Sequence, residues 1–244
     1  MLIYVIPDYD MASLMTITHL PYYYFLTTFY GISLRTSSLY LVLDVLSATL
    51  PFYLLRRRLP AHAPRAKTAV QNKVIITDWV ILLYTSTLGA LVYSFFVYTS
   101  YLTWLPVHLV TYFDGIHSLE GAHNVQLPPL VLTLFPLGWA ARTFLFSPST
   151  AAQTSLADAR KGAFNPATAT LGSTVERNVW GWSKGTKVVI QRTATLAALA
   201  GLMTWIRVWK TLEGSDGVGA FGWASIFVAA SMVNGAVMRW VGHV

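Results

Sequence analysis

Long apolar runs alternate with short polar ones along this chain, and the apolar runs have the length of membrane-crossing helices. They cover residues 12–32, 37–55, 74–105, 127–146, 188–209 and 219–241. Crossing ~30 Å of hydrocarbon at ~1.5 Å per residue takes about 20 residues, so each run suffices for one helix. The pattern predicts an all-α fold, a polytopic integral membrane bundle of about six transmembrane helices forming a single domain over residues 1–244. The first run is the least regular. Pro21 interrupts it, and Tyr22-Tyr23-Tyr24-Phe25 suits either interfacial aromatics or a kinked, partly re-entrant helix. Without this crossing the N-terminus changes sides and the other five runs stay as they are. The third run is long enough to tilt, or to leave the membrane as a helix before Pro106. The fourth opens on Pro128-Pro129, a favoured helix start, and contains Pro136.

The polar segments supply direction. The loop 56–73 carries Arg56, Arg57, Arg58, Arg65, Lys67 and Lys73, and the loop 147–187 carries Arg160, Lys161, Arg177, Lys184 and Lys187. Between them, 106–127 has neither Lys nor Arg. Excess Lys and Arg stay on the cytoplasmic side. The two basic loops and both termini are therefore expected there, with 106–127 and the acidic turn holding Glu213 and Asp216 on the lumenal, outer side. Arg207 and Lys210 fall at the outer end of the fifth run against this rule, where long basic side chains can snorkel to headgroups. Trp205, Trp209 and Trp223 at that level suggest an interfacial belt. Within 173–187, Ser173 and Glu176 have capping-box spacing, and Val175, Val179 and Trp182 follow at i, i+4 and i+7. This predicts a short interfacial helix before the fifth span. An extension of the fifth span fits as well, although Gly181 and Gly185 favour a break.

Composition narrows the classes. A chain of 244 residues that is 55% hydrophobic and 11% charged, with a mean hydropathy of +0.51, has too little polar surface for a soluble domain. Its net charge of +7 flanks apolar runs, which makes the lipid bilayer and its anionic lipid headgroups the expected partners rather than DNA. With no cysteine, thiolate metal sites and thiol catalysis are excluded. The N-terminal segment lacks the basic region of a secretory signal and the character of a mitochondrial presequence, so the first helix is expected to act as an uncleaved signal. No Asn-x-Ser/Thr acceptor occurs, and no Lys-Asp-Glu-Leu-type address.

Ionisable groups within apolar runs are costly and rank first as candidates. Asp44 lies mid-way along the second run and could pack, pair with a basic residue, or bind a proton or ion. Asp78 lies near the start of the third, where it favours the positive end of a helix dipole. His19 reads as a packing histidine, and His62 and His243 as solvent-side residues. In the outer loop Asp114, His117, Glu120 and His123 recur every third residue, with His108 upstream. These types ligate zinc or non-haem iron and form acid/base pairs. Steps of three turn about 60° around an α-helix, so all four converge only on a non-helical segment. Thr193, Ala197 and Gly201 in the fifth run, and Ser231 and Gly235 in the sixth, have the four-residue spacing that lets helices pack closely.

No phosphate loop, nucleophile elbow, histidine-box pair or charged translocation helix is present, and no cofactor is expected. The leading expectation is a non-enzymatic subunit or accessory factor of a larger membrane complex in the endoplasmic reticulum, serving membrane-protein biogenesis, translocation or scaffolding. Other membrane-protein subunits would be its partners. Two alternatives stand beside it: a membrane enzyme acting on lipid or a lipid-linked substrate through the Asp/His/Glu cluster of the outer loop, and a small transporter using Asp44.

Overall fold

Helices form where the apolar runs lie, and their breaks fall at residues with a local reason to break. The computed structural model describes residues 8–55, 72–152, 170–172, 174–175 and 182–242. The helices are α1 (Asp8–Phe29), α2 (Leu34–Leu55), α3 (Lys73–Thr77), α4 (Trp79–Leu102), α5 (Leu105–Tyr112), α6 (Glu120–His123), α7 (Leu127–Thr133) and α8 (Phe135–Ala141). A π-helical turn, Arg142–Phe146, follows, then α9 (Ser147–Ala151), α10 (Lys184–Thr211) and α11 (Gly217–Gly242). Among the described residues there is no strand, only a single bridge between Phe113 and Ser215. Also among them, four helices, α2, α4, α10 and α11, are long and apolar enough to cross a membrane, and the bent pair Leu127–Thr133 with Phe135–Ala151 makes a fifth if counted as one span.

Two of the expected spans are interrupted. The run 74–105 breaks at Asp78, whose extended backbone separates α3 from α4 and whose Oδ1 accepts the amide of Val80 at 2.8 Å. An N-cap of this kind satisfies an amide that the first turn would otherwise leave unpaired. The run 127–146 bends by 56° at Leu134. Pro136, two residues on, has no amide to continue the hydrogen-bond ladder. The segment 106–127, expected as a loop, instead contains α5 and α6, with Leu105 and Leu109 of α5 fully buried. Ser183 caps α10 by accepting the amide of Thr186 at 3.3 Å, so Lys184 and Lys187 lie in the first turns of α10, the helix of the fifth apolar run, rather than at the end of a separate interfacial one. Residues 173 and 176–181 of the expected interfacial segment lie outside the described residues, as does the basic loop from Arg56 through Lys67 with His62, and so do Arg160, Lys161, Arg177 and His243.

Helix α1 is the axis of the bundle. Ile17, Phe25 and Phe29 are fully buried, and the helix packs against α2, α8, α10 and the π-helical turn. Its buried hydroxyls bond back to their own helix, Thr18 to the Leu14 carbonyl at 2.9 Å and Ser13 to the Tyr9 carbonyl at 2.8 Å. Each hydroxyl is thereby satisfied in an apolar setting. Trp223, expected at the interface, lies wholly in the core against Tyr24, Phe25, Phe29 and Phe227, with its Nε1 donating to the Pro21 carbonyl at 3.2 Å. By contrast α2 buries only Ser37.

The ends of the bundle are built differently. At one end His117 donates its amide to the Phe29 carbonyl, Asp114 to Gly214 and Asp216 to Tyr112, at 2.9, 2.9 and 3.0 Å. Gly214 turns there with a φ of 75°. That left-handed conformation suits glycine, which has no Cβ to clash. The end of α1, the segment after α5 and the α10–α11 turn thus meet. At the other end Asp10 meets Arg192, and Arg142 meets the Ile76 carbonyl. This second end carries the flanks of both basic loops.

Candidate functional site

Among the described residues four arginines enter the helical bundle, and each is held differently. Arg192 of α10 donates Nη2 to Asp10 Oδ2 at 2.7 Å and Nη1 to the Phe144 carbonyl at 2.9 Å, with its guanidinium 4.9 Å from the Phe144 ring centre. The side chains of Arg192 and Asp10 are 6% and 1% exposed, so this pair is removed from solvent altogether. Arg142, at the start of the π-helical turn, is also buried and donates to the Ile76 carbonyl at 2.6 Å. A π turn widens the helix and frees carbonyls that would otherwise be spent inside it. Phe144, within that turn, presents one such carbonyl to Arg192. Arg207 holds Asp44, and Arg239 of α11 reaches the hydroxyl of Thr186.

Asp44 clasps α2 to the bundle. Its Oδ2 accepts from Arg207 Nη1 and from the Tyr23 hydroxyl, each at 2.8 Å, and His19 Nε2 stands 3.9 Å away. Arg207 also lies over the Tyr22 ring at 5.8 Å, while Lys210 sits over Trp209 at 3.5 Å. The carboxylate thus joins three helices, α1, α2 and α10. A carboxylate facing a guanidinium and a phenol is a pairing arrangement, with its charge matched in place.

The outer cluster is spread over several elements. His108 of α5 places Nε2 3.2 Å from the Gly219 carbonyl and packs against Gly222, where a side chain would overlap its ring. Asp114 and His117 border an open cleft of about 540 Å³ that Glu213 also lines. Glu120 opens α6 and accepts from Asn124 at 3.4 Å, and His123 ends α6. Among the described residues no three His, Asp or Glu side chains are placed to hold one metal ion.

Of the small residues spaced by four, Thr193 faces Gly235, where a Cβ would collide with the threonine side chain, and a Cβ added at Gly201 would come within 2.6 Å of Val228 Cγ2. Ala197 is buried. Ser231 turns away from α10 and bonds the Tyr93 hydroxyl of α4 at 2.9 Å. Lys184 is exposed on the first turn of α10. Sequence reasoning missed Asp10, Arg142, Arg192 and Tyr23. The signal for the two arginines was present, since each interrupts an apolar run as Asp44 does.

No match is found among curated proteins or solved structures. A family match covers residues 78–241, beginning at the N-cap of α4 and ending in the last turn of α11. It leaves out α1 and α2 and takes in every other long helix, well over half of the chain, and on that ground the chain belongs to the family described as the Bouquet formation protein 3 C-terminal domain.

Proposed function

We propose that this protein is a non-enzymatic, multi-pass membrane subunit that supports a larger assembly in the endoplasmic reticulum membrane and the nuclear envelope continuous with it. Membership of a family named for bouquet formation is the observation that carries the reading. The internal use of charge supports it. Arg192, Arg207 and Arg142 are taken up by Asp10, Asp44 and a carbonyl, which builds a scaffold from groups that a pump or hydrolase would keep available. The expected test is affinity purification of the tagged full chain from native membranes in mild detergent, with cross-linking and mass spectrometry. Stoichiometric membrane-protein partners are expected. A chain that purifies without any would overturn the subunit reading.

We further propose six crossings with both termini on the cytoplasmic side. Helix α1 contains 22 residues. At ~1.5 Å per residue that is about 33 Å, enough to cross when its polar groups are shielded by its neighbours. Contacts at the two ends support the alternation. One end joins 29–30, 113–117 and 213–216, and the other joins the flanks of both basic loops. The chain has no glycosylation acceptor of its own, so introduced ones report cleanly. An acceptor inserted in the 213–216 turn is expected to be glycosylated and one inserted within 56–71 is not. The reverse pattern would invert the topology.

A further inference from the structure

The outer face of the α10–α11 hairpin holds a cleft of about 600 Å³ whose walls are Thr186, Ile190 and Ala194 of α10 and Met232, Ala236 and Arg239 of α11. Its lining is apolar apart from Thr193 and the end where Arg239 meets Thr186. From Arg239 to Met232 is seven residues, about 10 Å of helix, which lies within one ~15 Å leaflet. A second cleft of about 480 Å³ shares Ala194 and Met232 with the first and continues toward Trp205. The groove therefore begins at a cation near one membrane surface and runs inward along small side chains.

Charge identifies the occupant. Arg192 and Arg207 each have a carboxylate, and Arg142 is buried on a carbonyl. Arg239 has the neutral Thr186 hydroxyl, and among the described residues no carboxylate pairs with it. A guanidinium carries five N–H donors in a planar fork that fits a phosphate. The rim has the residues of a headgroup layer. Trp182, 46% exposed, lines the groove, while Trp240, 74% exposed, follows Arg239 in the chain and Lys184 stands on the first turn of α10.

We propose that this groove is a binding site for an anionic phospholipid, its phosphate on Arg239 and an acyl chain laid between α10 and α11 toward Met232. Basic pockets between membrane helices take anionic headgroups in this way. A diffuse basic surface would attract the same lipids, but without a requirement for the groove.

Native mass spectrometry of the full chain in detergent, titrated with phosphatidylserine or with phosphatidylcholine of the same acyl chains, tests the site. The unaltered protein is expected to retain one phosphatidylserine in preference to phosphatidylcholine. Arg239→Gln should weaken phosphatidylserine binding about tenfold, the loss of one charge-assisted contact, and phosphatidylcholine binding less, because the choline already balances the charge of that lipid's phosphate. Arg239→Lys, which keeps the charge, should retain most of the preference. Ala236→Phe, at an exposed wall position, should weaken both lipids by filling the groove. Each variant is read only as a monodisperse species, and the lysine and phenylalanine variants keep the test intact if the glutamine variant does not fold. Equal binding of the two lipids by the unaltered protein would overturn the site. An effect of Arg239→Gln without one from Ala236→Phe would also overturn it, by showing surface charge alone.

Discussion

Asp10→Ala is expected to destabilise the bundle by about 3–5 kcal/mol, the scale of breaking a buried ion pair by removing one partner. The expectation rests on what is left behind. Arg192 is 6% exposed, and without Asp10 it keeps a full positive charge packed against the Phe144 carbonyl and ring. That charge cannot reach water without pulling α10 away from α1 and the π-helical turn. Removing both members is therefore expected to cost less than removing either one: Asp10→Leu with Arg192→Leu should recover much of the loss, because neither charge then stays buried without the other. Reversible unfolding of the purified protein in mixed micelles, followed through its tryptophan fluorescence, measures both quantities. A loss below about 0.5 kcal/mol for Asp10→Ala would mean that the pair is not buried as described, since surface changes fall in that range. The pair also joins α1, outside the family-matched segment, to α10 within it. Its energy accordingly measures how firmly the two parts of the chain are held together.

Hydrophobic run length placed the long helices well because it reports a bulk property, the match between apolar length and bilayer thickness. Helix α11 at Gly217–Gly242 and α2 at Leu34–Leu55 lie within a few residues of the runs expected at 219–241 and 37–55. Local chemistry inside a run was harder to weigh. Asp78 read as a residue near the start of a span, yet as an N-cap it ends α3 and begins α4, and the two roles differ only in backbone conformation. Pro136 was visible, but the bend it accompanies depends on how α7 and α8 pack on α4, which is tertiary information. The candidate sites show the same division. Asp44 was recognisable as an intramembrane carboxylate, while its partner Arg207 lies 163 residues away and read as an outer-end cation. The Asp114 to His123 pattern was periodic in sequence but is dispersed by the break between α5 and α6. Arginines within apolar runs were as readable as Asp44 and required the same question, namely which group neutralises them.

Gly138→Ala is expected to cost about 1–3 kcal/mol, and Gly138→Leu more, because there is no room for a side chain where α8 crosses α4. A Cβ at Gly138 would run into the Ser86 carbonyl and the Ala90 amide, and would lie 2.8 Å from the Ala90 Cβ. Two of these are backbone atoms, so relief requires the helices themselves to separate. Gly89 stands opposite, and a Cβ there would meet the Gly138 Cα and carbonyl at 3.1 Å and the flexible end of Met238 at 3.2 Å. These contacts are tight but shallower, so Gly89→Ala is expected to be the milder change. The crossing also seats α11: Asn234 Nδ2 donates to the Gly89 carbonyl at 3.1 Å, and the Tyr93 hydroxyl meets Ser231 at 2.9 Å one turn along. Separating α4 from α8 would strain both bonds, and buried polar groups without partners are expensive in an apolar surround. The same unfolding assay is expected to rank the variants Gly138→Leu, Gly138→Ala, then Gly89→Ala, from most to least damaging. Equal stability of all three would show that the helices do not approach this closely. The helices α4, α8 and α11 all lie in the family-matched segment, so this crossing belongs to the part of the chain that the Bouquet formation protein 3 C-terminal domain family covers. A small residue at 138 is the requirement that geometry imposes.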